Sequence, residues 1–346
     1  MNNKISLVTG ANGHLGNALV RALLANGQTV RAGVRRLEDH RPFQGLDCER
    51  VPLELMDAAS LQRALTDVNV LYQVAAVFRH WAPDPEQDIV RPNVEGTRLI
   101  LQAAAAAGVR KVVYVSSVAA VGHDGSTRDE SHWNEETDNP YYRSKIVSER
   151  AAWQTAHQLG LPLVTVLPGT MVGPYVHRLT DTMKFLDTVR AGKVPLDPDF
   201  HFNFVDVRDV ASAMIEAAKR GRPGERYILA NRHSSSLVDM LQALGNGRRA
   251  PPKAPRALLM LLAGMQEMLA RFTGSTPELL RSQVRLFHGV RQEFNITKAE
   301  RELGYSPRPP AEALAAGFAW LASDRLTMPA PSNSHHHDPR PPDPAH

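Results

Sequence analysis

A chain of 346 residues with 43% hydrophobic side chains holds enough apolar material for a large core, in one big domain or two closely joined ones, and is not disordered as a whole. Its 40 basic and 36 acidic residues leave a net charge of +4, which is expected to be spread along the chain and argues against nucleic acid as a partner. One cysteine, Cys48, excludes an internal disulfide framework and fits a reducing compartment; no metal site is implied.

The first apolar run, 5–8, leads into Val8-Thr9-Gly10-Ala11-Asn12-Gly13-His14-Leu15-Gly16 and a helical stretch at 15–26. Three glycines at a spacing of three thus fall where a strand must turn into a helix. Gly10 suits the tight turn, Gly13 lets backbone N–H groups approach a pyrophosphate, and Gly16 lets the helix lie against the strand. The helix N-terminus adds positive potential, so a dinucleotide is the natural ligand, with Asn12, His14 and Leu15 in the same loop. Because this strand starts so near Met1, no cleavable signal is expected, and the expected location is cytoplasmic.

The second run, 29–34, ends in Gly33-Val34-Arg35-Arg36. An acid holding a ribose 2′-hydroxyl would stand at Val34, whereas Arg35 and Arg36 suit a 2′-phosphate; NADPH is therefore expected rather than NAD. Further apolar runs at 50–53, 70–74, 112–116 and 163–167 alternate with helical stretches at 60–66, 94–107 and 142–158. Nearly continuous apolar strands alternating with helices predict an α/β, doubly wound parallel sheet of the Rossmann type. Past residue 173 the alternation loosens into helical stretches at 181–191, 210–219, 257–272 and 311–323, with another strand at 226–230. The division expected is a cofactor domain at 1–172 with returning segments near 203–230, a smaller interleaved substrate lobe at 173–324, and a disordered tail at 325–346. The apolar run 257–265 is far shorter than the roughly 20 residues of a membrane span. It reads as a buried or lid helix, with shallow membrane contact as the alternative.

Tyr141 and Lys145 lie four apart at the head of a helical stretch, which puts phenol and ammonium on one face. A cation there is expected to lower the phenol's pKa and make it a better proton donor to a carbonyl. Ser117 stands at the carboxyl end of the run 112–116, where ligands of doubly wound sheets bind, and its hydroxyl suits a substrate oxygen.

These residues resemble the extended short-chain dehydrogenase/reductase family over about 4–322. The matching landmarks are the glycine loop, Val74-Ala75-Ala76, Asn93-Val94-Glu95-Gly96-Thr97, Ser116-Ser117, Pro140-Tyr141 with Lys145, Pro168-Gly169, and Phe294-Asn295-Ile296-Thr297-Lys298 before Leu303-Gly304-Tyr305. The resemblance implies that Ser117, Tyr141 and Lys145 form the catalytic trio and that Lys145 also holds the nicotinamide ribose. It further implies cofactor contacts at Glu54, Leu55, Ala75, Ala76, Asn93 and Pro168. The stretches 94–107 and 142–158 resemble the pair from which family members build a four-helix dimer seam, so a homodimer is expected.

Substrate class separates the members of such a family. Dehydratases carry an acidic pair after the catalytic hydroxyl, and here Val118-Ala119-Ala120 follows Ser117. Where nucleotide-sugar epimerases offer an asparagine and an arginine for the diphosphate, Thr170 and Phe202 stand instead. Together with Phe78, His80 and Trp81 these suggest an uncharged, partly hydrophobic small-molecule substrate. Dihydroflavonol-reductase-like carbonyl reductases and hopanoid-associated sugar epimerase-like proteins are the subgroups most resembled. The reading is an NADPH-dependent reductase of a ketone or aldehyde with Tyr141 as general acid/base. Its alternatives are a sugar epimerase with tightly bound NAD(P) and a non-catalytic NADP-binding sensor.

Overall fold

The computed structural model describes residues 4–135 and 138–323, so the expected tail lies outside the described residues. Short apolar runs hydrophobic on both faces can satisfy themselves only inside a sheet covered on both sides. Six do so, with the partly exposed Glu49–Pro52 as a seventh at the edge: β1 (Ile5–Thr9), β2 (Thr29–Val34), β3 (Glu49–Pro52), β4 (Val68–Gln73), β5 (Lys111–Val115), β6 (Leu163–Pro168) and β7 (Arg226–Leu229). They form one parallel sheet in the order β3-β2-β1-β4-β5-β6-β7. The order reverses between β1 and β4, and ligands of such sheets bind beyond the strand ends at that switch.

Helices α1 (His14–Ala25) and α6 (Val207–Arg220) cover one face, packing Leu19, Leu23, Val210 and Met214 against the sheet. The other face carries α2 (Ala58–Leu65), α3 (Arg91–Ala106) and α4 (Pro140–Leu159), with Leu61, Ile100, Leu101 and Ala152 in the core. Side-chain caps set several starts: Asp57 accepts from two N–H groups of α2, Asn139 from two of α4, and Asp206 from one of α6. By contrast α1 begins at Gly13 with no side-chain cap, which leaves its N-terminal dipole open.

A second body of packing is built by α5 (Asp181–Arg190), α7 (Leu237–Leu244), α8 (Arg256–Thr273), α9 (Arg281–Phe287) and α11 (Pro310–Leu321), whereas α10 (Thr297–Leu303) packs Ala299 and Leu303 into the first core beside α6. One cluster joins α5, α7 and α11 through Met183, Leu186, Met240, Leu314 and Phe318. Another ties α8 and α9 to the head of α4, bringing Leu259, Ala263, Val284 and Phe287 together with Tyr141 and Tyr142. The expectation of a buried helix at 257–265 is corrected here. Only Leu259, Ala263 and Ala270 of α8 are buried, because its contact face is one narrow stripe; Leu261, Met265 and Phe272 face outward.

Candidate active site

The glycine loop closes on itself through backbone groups: Gly13 N–H donates to the Gly10 carbonyl at 2.9 Å, and Ala11 N–H to the Gly33 carbonyl at 3.1 Å. Gly10 has φ +61, a left-handed conformation that costs glycine little. A Cβ on Gly16 would stand 2.2 Å from the Gly10 oxygen, so helix and strand approach this closely only without a side chain. Across the switch point, the Thr9 hydroxyl accepts from Val74 N–H and Ala75 N–H at 2.9 Å each and donates to Gln73 Oε1. Ala75 is thereby fixed against Gly10, with Ala76 exposed beside it. The cradle, its uncapped helix and the small residues facing it fit a bound dinucleotide.

The side chains of several expected cofactor contacts have structural partners. Leu15 is buried in the core and offers only its backbone to a ligand, because its side chain fills the gap between α1 and the sheet. His14 donates from Nε2 to the Pro174 carbonyl at 3.0 Å, and burial lowers its pKa to about 4. Its ring is thus a neutral pin to the chain beyond β6. Asn93 is spent on structure: Oδ1 accepts from Val77 N–H at 2.7 Å, while Nδ2 donates to the Val77 carbonyl and to Ser144 Oγ. It holds the loop after β4, with both N–H groups of its amide engaged. Asn12 is half-buried, Glu54 is exposed, Leu55 packs over Gly96, and Pro168 ends β6 buried. Arg35 and Arg36, just past β2, are exposed and have no ion-pair partner among the described residues.

Ser117, Tyr141 and Lys145 converge at the carboxyl end of β5. Ser117 accepts from Ala119 N–H at 3.1 Å and shares a hydrogen bond with the Tyr141 phenol. Lys145 lies one turn below Tyr141 on α4, its Nζ 6.0 Å from the tyrosine ring centre. The expectation of a phenol acidified by this cation is corrected: burial pushes Tyr141 up to about 12, opposed by the Ser117 hydroxyl. Both groups sit in a dry environment, and burial also lowers Lys145 to about 8, with Glu149 one turn further along opposing that shift.

Phe78 meets the Tyr141 ring edge-on at 4.8 Å, and His80 lies 4.9 Å from it with Nδ1 3.4 Å from Asn139 Oδ1. Both therefore stand against the phenol. Trp81, half-buried, makes no such ring contact. Thr170 N–H donates to the Asn203 carbonyl at 2.7 Å, which places the residue on the strand Thr170–Val172 beyond β6. Phe202, half-buried, packs among Phe185, Phe200, Phe204 and Phe287, where the lobe's two clusters meet, and so lies against the cluster that contains Tyr141. A surface groove of about 940 Å³ lined by Arg21, Cys48, Tyr175 and Arg208 includes none of the Tyr141 group.

Three residues were missed. Asn139 caps α4 at Tyr141 and Tyr142 and donates to Ser282 Oγ, and its signal was the Asn-Pro pair that so often opens a helix. Glu149 is fully buried behind Lys145, accepting from Ser116 Oγ at 2.6 Å and pairing with Arg226 at 2.7 Å. Arg226 also donates to the Glu130 and His132 carbonyls and stacks on Trp133. No local pattern pairs residue 149 with residue 226.

The profile of the NAD dependent epimerase/dehydratase family matches residues 6–230. Sterol demethylase protein B of Methylococcus capsulatus is 34% identical over 91% of this chain and 98% of its own length. Cinnamoyl-CoA reductase 1 of Arabidopsis thaliana is 33% identical over 70% of this chain and 75% of its own. The crystal structure of gox2253 aligns with a TM-score of 0.79 at 35% identity, covering 92% of this chain and 98% of that one. The chain belongs to the NAD-dependent epimerase/dehydratase family of extended short-chain dehydrogenase/reductases, NAD(P)-dependent enzymes that act on carbonyl and CH–OH groups.

Proposed function

We propose that this enzyme reduces the carbonyl of a hydrophobic ketone or aldehyde at the expense of NADPH. The observation that carries the reading is a protonated phenol held by Ser117 at the end of β5, with Lys145 one turn below and Phe78 and His80 against its ring. Gly10, Gly13 and Gly16 with the open N-terminus of α1 would hold the pyrophosphate, and Arg35 and Arg36 a 2′-phosphate. When bound, NADPH would supply the hydride for the carbonyl carbon.

The protein's own part is proton placement. With its pKa at about 12, Tyr141 keeps its proton on Oη at neutral pH and acts as donor to the substrate oxygen. The Ser117 hydroxyl orients that oxygen, and the charge on Lys145 stabilises the tyrosinate left behind. An aromatic wall beside the phenol supports an apolar substrate, as does a relative whose name refers to a sterol. The same reading includes a homodimer across the outer faces of α3 and α4, where Val147 is exposed; light scattering should give twice the chain mass.

The experiment is NADPH oxidation followed against aromatic aldehydes, diketones, flavanonols and sterol ketones, repeated with NADH. Turnover of an apolar carbonyl with preference for NADPH supports the proposal. A tightly held dinucleotide that turns a sugar over without net consumption would replace it with epimerisation, and tight binding without any turnover with a sensor.

A further inference from the structure

Leu258, Leu261, Met265, Met268, Leu269 and Phe272 recur at intervals of three and four along α8, which places them on one side of the helix. All six are exposed, from 37% at Leu258 to 84% at Phe272. A soluble surface rarely leaves so continuous an apolar stripe uncovered. The helix beneath it is firmly held: Leu259, Ala263 and Ala270 are buried on the inner side. Gln266 Oε1 accepts from the Glu278 and Leu279 N–H groups at 2.9 and 3.0 Å, and Glu267 pairs with Arg281 at 2.8 Å. The stripe is therefore a preformed feature of a rigid element.

Charge around it points to one kind of partner. Residues 246–285 contain seven basic and two acidic side chains; Lys253, Arg281 and Arg285 pair with Asp199, Glu267 and Asp138, which leaves a smaller positive excess on Arg248, Arg249, Arg256 and Arg271. Arg249, Arg256 and Arg271 are exposed and have no ion-pair partner among the described residues. An apolar stripe on a helix of 18 residues and about 27 Å, with a free arginine in its first turn at Arg256 and another in its last turn at Arg271, has the chemistry of an element that lies flat in a bilayer interface rather than crossing it. No helix among the described residues is long and apolar enough to cross a membrane. The 23 residues after Ser323 contain only Leu326 and Met328 as large apolar side chains, too few to match the stripe.

We infer that α8 docks this protein on the surface of an anionic lipid bilayer, with the stripe sunk among the acyl chains and the arginines on the headgroup phosphates. This holds whatever carbonyl the active site takes. The full-length protein is sedimented with sucrose-loaded vesicles of phosphatidylcholine, with and without phosphatidylglycerol. Wild type should pellet with the phosphatidylglycerol vesicles and less so as salt rises. The variant Leu261→Ser/Met265→Ser/Met268→Ser/Phe272→Ser should lose at least about tenfold in binding while keeping its melting temperature and its NADPH affinity. Three results overturn the proposal: no pelleting of wild type with phosphatidylglycerol vesicles, undiminished pelleting of the variant, or a dimer dissolved by the variant without any vesicle binding, which would give the stripe to a second copy of the chain.

Discussion

At Tyr141 two effects oppose one another, and their balance decides what the phenol does. Removal from water disfavours the charged form more than the neighbouring hydroxyl favours it, so the proton stays on the ring oxygen across the physiological range. Lys145, in the same dry environment, is the group that titrates near neutrality. With a pKa of about 8 it is charged below that value and neutral above it. The enzyme should therefore lose kcat/KM for carbonyl reduction as pH rises through about 8, while a profile flat to pH 10 would remove Lys145 from its role. Arg35 and Arg36 carry a separate prediction. Charge-assisted hydrogen bonds of this kind contribute about 1.5–3 kcal/mol, so Arg35→Ala/Arg36→Ala should weaken NADPH binding by about 10- to 100-fold in a fluorescence titration and leave NADH nearly unaffected.

Helix α4 turns these single residues into a device. Asn139 fixes where it begins, Tyr141, Lys145 and Glu149 follow one another at four-residue intervals on one face, and Arg226 anchors that face to β7. Glu149→Ala would leave a buried guanidinium unpaired and should cost about 3–5 kcal/mol in urea unfolding, whereas Arg226→Ala/Glu149→Ala together should cost less than the two separately. A strictly additive double variant would contradict the pairing. This helix also shows what was legible in advance. Tyr141, Lys145 and Ser117 could be named because spacing along one helix and position at one strand end are local properties of sequence. The partnership of Glu149 with Arg226, and the placing of Phe202 among other rings, arise from contacts between distant segments that no local pattern encodes. The seven long strands were legible because apolar runs of four to six residues carry their own signal. The two-residue strands Thr127–Arg128 and Glu293–Phe294, and the short helices α7, α9 and α10, are too brief to show a period. In α8 the apolar pattern left both a buried or lid helix and shallow membrane contact open, since a stripe looks the same whether it faces the core or the solvent.

Across the whole molecule, two neutral histidines stitch the sheet to the lobe. His14 reaches from α1 to the Pro174 carbonyl, and His123 donates to the Leu286 carbonyl while stacking on Phe287. Burial lowers each pKa from 6.5 to about 4, so between those values the unfolded chain binds more protons than the folded one. Their contribution to stability is complete above pH 6.5 and is lost as pH falls toward 4. The melting temperature of wild type should accordingly fall more steeply over that window than that of His14→Gln/His123→Gln; parallel curves would contradict it. All of these supports converge on one hydroxyl, and the direct test is the Tyr141→Phe enzyme, assayed for NADPH binding and for NADPH oxidation with an apolar carbonyl that wild type turns over. The expected result is nearly unchanged NADPH affinity with a rate reduced by at least about 100-fold, the scale of a lost general acid. Turnover equal to wild type would contradict the account.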